Sequence, residues 1–162
     1  MGQKLVEQTK IVTGLAPILP STSTPDYVSL KHYQHATIIL TVDNATTVTG
    51  SAITVKQASA VAGTGEKALS VDWVWLNIDT GSAGGDVLVK TAVTSDTFTT
   101  DATNAKNLIY VLEIDAAELD VANGFDCIRL GTGDATAAIC SAVYVLSGSR
   151  YKSSTPPAAI TD

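Results

Sequence analysis

Charge is what this 162-residue chain has least of: Asp, Glu, Lys and Arg make up 16% of it, against about 25% in ordinary globular domains. The ten basic residues are scattered and the net charge is −6. Nucleic-acid binding needs Lys and Arg gathered on one face to displace counterions, so direct DNA or RNA contact is excluded as an expectation. No apolar run approaches the ~18 residues of a membrane span. The first eight residues, MGQKLVEQ, lack the apolar core of a secretory leader. Val6 also stands where a myristoylation signal wants Ser or Thr. The expectation is therefore a product synthesised in the cytoplasm, with no membrane partner. Cysteine is scarce, with two residues and no Cys-x-x-Cys spacing. Motifs of catalysis are also missing. There is no Gly-x-Ser-x-Gly elbow, and Gly63-Thr64-Gly65-Glu66-Lys67 lacks both the glycine spacing and the hydroxyl residue of a phosphate loop.

What is abundant is small and β-favouring. Hydrophobic residues reach 45%, and Thr, Ala, Ser, Val and Gly dominate. Strand-like runs fall at 35–42, 51–57, 69–78, 87–93, 97–100, 107–114, 125–130 and 137–146, with turn signals between them. A single helical turn is expected near Ala116-Ala117-Glu118-Leu119. Eight or so short strands predict an all-β, single-domain β-sandwich, jelly-roll-like, with room for a core in 162 residues. Pro17, Pro20 and Pro25 with a Ser/Thr tract between them predict an extended N-terminal arm over 1–27, in which 10–15 can pair as one strand. The sandwich then occupies 28–151, and a Pro-containing tail 152–162.

Residues able to carry chemistry are few. His32 and His35 lie three apart before a strand, which places them on opposite faces rather than around one metal. Asp115, Glu118, Asp120, Asp126 and Asp134 match no calcium-loop spacing and read as a solvated acidic stretch. No catalytic, metal or cofactor residues are assigned. Trp73 and Trp75 share one strand face. They suit a core or subunit interface, or a glycan-stacking platform. Cys127 and Cys140 lie in the last two runs. A two-residue turn at Gly133-Asp134 would make these a hairpin and register Cys127 opposite Cys140, as a non-hydrogen-bonded pair at ~4.5 Å. That spacing permits a disulfide, formed only outside the reducing cytosol. Apolar side chains on both faces of 107–114 and of this hairpin predict self-association, as a dimer or trimer.

Several segments resemble a known group. They are 25–31 (PDYVSLK), 36–40, 50–58 (GSAITVKQA), 63–69 (GTGEKAL), 107–115, 124–130, and Arg150-Tyr151 before Pro156-Pro157. Together they resemble small virion structural proteins of tailed bacteriophages, of the capsid-decorating or head-stabilising kind. The resemblance implies a non-enzymatic protein on the capsid exterior, partnered by the major capsid protein of a phage head. A tail-tube or fibre subunit, or a carbohydrate-binding sandwich using Trp73 and Trp75, are the alternatives.

Overall fold

The computed structural model describes residues 4–22, 25–83, 85–150 and 156–160. Among these residues eleven strands are formed: β1 (Lys10–Ile18), β2 (Val28–Ser29), β3 (His35–Asn44), β4 (Ala52–Ala58), β5 (Lys67–Ala68), β6 (Trp73–Asn77), β7 (Val89–Ala92), β8 (Thr97–Thr99), β9 (Asn107–Asp115), β10 (Cys127–Thr132) and β11 (Ala138–Ser147). Among the described residues, helix is confined to one turn at Leu5–Gln8 and three-residue turns at Pro20–Thr22, Ala116–Glu118 and Val121–Asn123. Every pairing among the described residues is antiparallel.

The strands form two sheets. One runs β1-β11-β3-β9-β6-β7, the other β2-β10-β4-β5, with β8 also on β4. Setting β6, β7 and β8 aside, eight strands remain. Within these the first pairs the last (β1 with β11), the second the seventh (β2 with β10), the third the sixth (β3 with β9), and the fourth the fifth (β4 with β5). That is a long two-stranded ribbon rolled over on itself, the jelly roll. β6 to β8 are an insertion that widens one sheet and lengthens the side of the other. The all-β sandwich of the sequence reading is thus observed.

Alternation builds the core. Ala36, Ile38, Leu40 and Val42 on β3 point inward with Leu108, Tyr110, Leu112 and Ile114 on β9, and with Cys140, Ala142, Tyr144 and Leu146 on β11. Ile53 and Val55 of β4 and Ile128 and Leu130 of β10 close it from the other sheet. Tyr144 fastens the two sheets: its ring is fully buried, and its hydroxyl accepts the Leu130 N–H at 2.7 Å. Gly14 on β1 leaves room for that ring, since a Cβ there would stand 1.6 Å from Tyr144 Cε2.

Two expectations are corrected. The cysteines do not face each other. β10 and β11 belong to different sheets, and the 133–137 segment is a crossover between them rather than a two-residue turn. Gly133 N–H bonds to the Ala52 carbonyl at 2.7 Å and Thr136 N–H to Thr49 Oγ1 at 2.8 Å, which holds that crossover against the β4 side of the barrel mouth. Cys127 lies opposite Ser29 and Ala58, and Cys140 opposite Val42 and Ile18. Both cysteines are buried and neither is in a disulfide. Second, 10–18 is no arm, because β1 is a full strand on β11 that contributes Val12 and Leu15 to the core. The described part of the Pro-containing tail is docked. Ser29 N–H donates to the Ala159 carbonyl at 2.7 Å, Tyr33 Oη donates to the Pro157 carbonyl at 2.5 Å, and Ala159 is fully buried.

Candidate interaction surface

The two outer faces of the sandwich differ sharply in chemistry. On the smaller sheet, outward side chains are tied into ion pairs. Glu66 accepts from Lys56, from Arg129 Nη2 at 2.8 Å and from Tyr27 Oη at 2.5 Å. The Lys56 and Tyr27 hydrogen bonds hold the Glu66 carboxyl below its usual range. Arg129 also lies over the Tyr27 ring, and Lys67 over Phe125 while it pairs with Asp120. Beneath this polar cover sit Cys127, Ala58 and Tyr27 as a small buried cluster.

The outer face of the six-stranded sheet carries an apolar stripe instead. Cross-strand register lines up one residue from each strand: Thr13, Val143, Ile39, Val111, Trp75 and Lys90. Beside it run Ile11 and Val145 on one side, and Ile109 with the hydrogen-bonded Thr41 and Ser141 on the other. Ile139 and Ile11 remain nearly half exposed, at 48% and 45%. A sandwich sheet that met only water would place polar residues at these positions. A hollow of about 500 Å³ opens beside the stripe over β11, β3 and β9, lined in part by Pro17, Thr41, Asp43, Ile109 and Ile139.

Trp73 and Trp75 lie side by side on this face, as their spacing requires. Trp73 is 45% exposed. The Lys90 ammonium stands over both rings, 4.3 Å from Trp73 and 5.1 Å from Trp75. On β3, His35 is held between two carboxylates of β9. Its Nδ1 is 2.7 Å from Asp115 Oδ1, and its Nε2 bonds Glu113 Oε2, which also accepts from Thr37 Oγ1 at 2.7 Å. Burial pulls the His35 pKa down, but the hydrogen bonds and charges of the two carboxylates outweigh it and the pKa sits above the ordinary value. This cluster was invisible in the sequence, because it exists only through the β3–β9 register that sets His35 opposite Asp115. His32 sits in the turn before β3 and does not join it.

Among the described residues no group of three or more His, Cys, Asp or Glu side chains is arranged to hold a metal ion, and no helix is long and apolar enough to cross a membrane. The acidic residues of 115–134 are dispersed: Asp115 pairs with His35, Asp120 with Lys67 and Asn123, and Glu118 accepts the Asp115 N–H. What this face presents is β-branched and aromatic side chains aligned by strand register.

No protein-family model matches the chain, and no curated protein matches it. Among solved structures, the crystal structure of SPBc2 prophage-derived protein YomS is similar at 14% sequence identity, with a TM-score of 0.46 over 86% of this chain and 93% of that one.

Proposed function

We propose that the chain is a non-enzymatic structural protein of a tailed-phage virion, which binds the capsid exterior and braces it through protein contacts. The observation that carries this reading is the apolar stripe of Val143, Ile39, Val111 and Trp75 across the four inner strands of the six-stranded sheet, flanked by Thr13 on β1 and Lys90 on β7. Its opposite face is closed by ion pairs. One sheet is thus suited to water and the other to a partner. The segments at 25–31, 50–58 and 107–115 that resemble capsid-decorating proteins support the same reading. The low charge and acidic balance favour a protein partner over phosphate.

The test mixes purified protein with phage particles stripped of it, and separately with free DNA. Retention on particles and none on DNA at physiological salt is expected. Val111→Asp, in the middle of the stripe, should abolish retention while leaving the far-UV circular dichroism unchanged. Retention on DNA, or undiminished particle binding by the variant, would overturn the proposal. Localisation by electron microscopy on the tail would instead favour a tail-tube or fibre subunit. The exposed Trp73 beside Trp75 supports a second reading as a glycan-stacking module, which a glycan-binding screen of wild type and Trp73→Ala decides.

A further inference from the structure

The two sheets do not end together. Past β9 the larger sheet continues through β6 and β7, while past β4 the smaller one has only β5 and β8, of two and three residues. A hollow of about 430 Å³ opens at this flank, lined in part by Val74, Leu76, Thr91, Phe98, Asp101 and Tyr110. Val74 and Tyr110 are core residues at 2% exposure, and Leu76 and Phe98 pack against that core. Register sets Thr91 of β7 beside Val74, and Phe98 of β8 beside the buried Ile53. The hollow is therefore an opening of the hydrophobic core, on the face of β6 opposite to Trp73 and Trp75. Its volume falls in the range of ligand pockets, which are mostly apolar with a few placed polar groups.

The polar chemistry here has one sign. The Phe98 and Tyr110 rings stand 5.5 Å apart, tilted by 37°. Tyr110 Oη accepts the Asp101 N–H at 2.8 Å, which holds Asp101 beside the two rings. The Asp101 carboxylate is itself fixed, since its Oδ1 accepts the Thr103 N–H at 2.8 Å. Burial raises the Tyr110 pKa, the Asp101 N–H opposes that shift, and the Asp101 charge adds to it. The carboxylate thus lies near enough for its field to reach the Tyr110 hydroxyl. Among the described residues no Lys, Arg or His joins this lining. A fixed carboxylate and two ring faces attract a cation, and the aliphatic walls favour a cation with an apolar body.

We propose that this hollow binds a small organic ammonium ion, its apolar body against Val74 and Leu76 and its nitrogen at Asp101 beside the Phe98 and Tyr110 rings. An anion of the same shape would be repelled by Asp101, and a neutral molecule would lose the charge contact. The site shares no residue with the apolar stripe, so the inference does not rest on the capsid reading.

The experiment titrates the full chain with three probes of one shape: benzylamine, which is cationic at pH 7, toluene, which is neutral, and benzoate, which is anionic. Amide chemical shifts give both affinity and place. Benzylamine should bind saturably at about 0.1–1 mM, moving the Val74, Thr91, Phe98 and Tyr110 amides. Toluene should bind at least about fivefold more weakly, and benzoate not at all. Asp101→Asn keeps the oxygen that accepts the Thr103 N–H but removes the charge. It should weaken benzylamine by at least about fivefold and leave toluene unchanged. Thr91→Phe, at an exposed position, places a ring in the hollow and should abolish both. No saturable shift with any probe up to about 10 mM overturns the proposal. So does equal affinity for benzylamine and toluene in the wild type, or benzylamine binding that survives Thr91→Phe.

Discussion

Replacing Tyr144 by Phe removes one oxygen and tests how the two sheets are fastened. β2 reaches β10 only at Cys127 and Ile128, so no strand serves the Leu130 N–H on that side. The Tyr144 hydroxyl accepts it at 2.7 Å inside a fully buried site. Phenylalanine keeps the ring and its packing but orphans that amide. An unsatisfied buried donor costs about 1–3 kcal/mol. For a chain of 162 residues, a loss of about 2 kcal/mol lowers Tm by about 4–8 °C. Thermal and urea denaturation give the magnitude, and amide exchange gives the location: Leu130 should lose protection before its neighbours. Gly14→Ala is the companion. Its Cβ would meet Tyr144 Cε2 at 1.6 Å, so it should cost about 1–3 kcal/mol or more, and Tyr144→Phe should not relieve it, because the clash is with ring carbons. If Tyr144→Phe matches wild type within about 0.5 kcal/mol and Leu130 exchange is unchanged, the hydroxyl does not fasten the sheets and the reasoning fails.

Further outcomes are expected. The raised pKa of His35 means that its contribution is complete below about pH 6.5, the ordinary histidine value, and is lost as pH rises through the folded-state pKa. Urea midpoints of wild type should therefore fall relative to His35→Gln as pH climbs from about 6 to 8.5, and parallel profiles would refute the carboxylate clamp. Cys127 and Cys140 are buried and not disulfide-bonded, and burial pushes the Cys140 thiol up to about 11. A thiol reagent should react slowly with the native protein and find both thiols on unfolding, whereas an internal disulfide found by mass would contradict the two-sheet placement. Deleting 156–162 removes the partners of Ser29 N–H and Tyr33 Oη and empties the Ala159 site. It should cost about 2–4 kcal/mol by denaturation, and an unchanged midpoint would show that the tail is not part of the sandwich.

Strands were legible in the sequence and their neighbours were not. The β-branched runs placed β3, β4 and β9 within a residue or two of where they lie. Alternation separates the two faces of β9: Leu108, Tyr110, Leu112 and Ile114 are buried, and Ile109 and Val111 only partly so. Period-2 alternation says which way a side chain points but not which strand lies beside it. The turn-rich segment 131–136 therefore read as a tight hairpin, while in the fold it carries the chain from one sheet to the other. Cys127 and Cys140 were misplaced for that reason. The prolines before Val28 read as an arm, although β1 tolerates Pro17 because it is an edge strand with shifted register. The Trp73–Trp75 pair was visible from spacing alone. The apolar stripe and the His35 clamp required cross-strand register, which no single run contains.

The rolled ribbon also dictates an order of events. Lys10 pairs with Leu146, so the first strand made must wait for the last one. At about 5–20 residues per second of synthesis, that wait is roughly 7–27 s. Throughout it, β1 and β3 are both without the strand that separates them in the finished sheet. Pairings so distant in sequence also make the folding step itself slow. A chain stalled before residue 138 lacks β11 altogether, and with it the central bond between β1 and β3. Completion of the last strand is therefore the event that converts an exposed, adhesive intermediate into a closed sandwich, and interruption at that stage is where aggregation should be greatest.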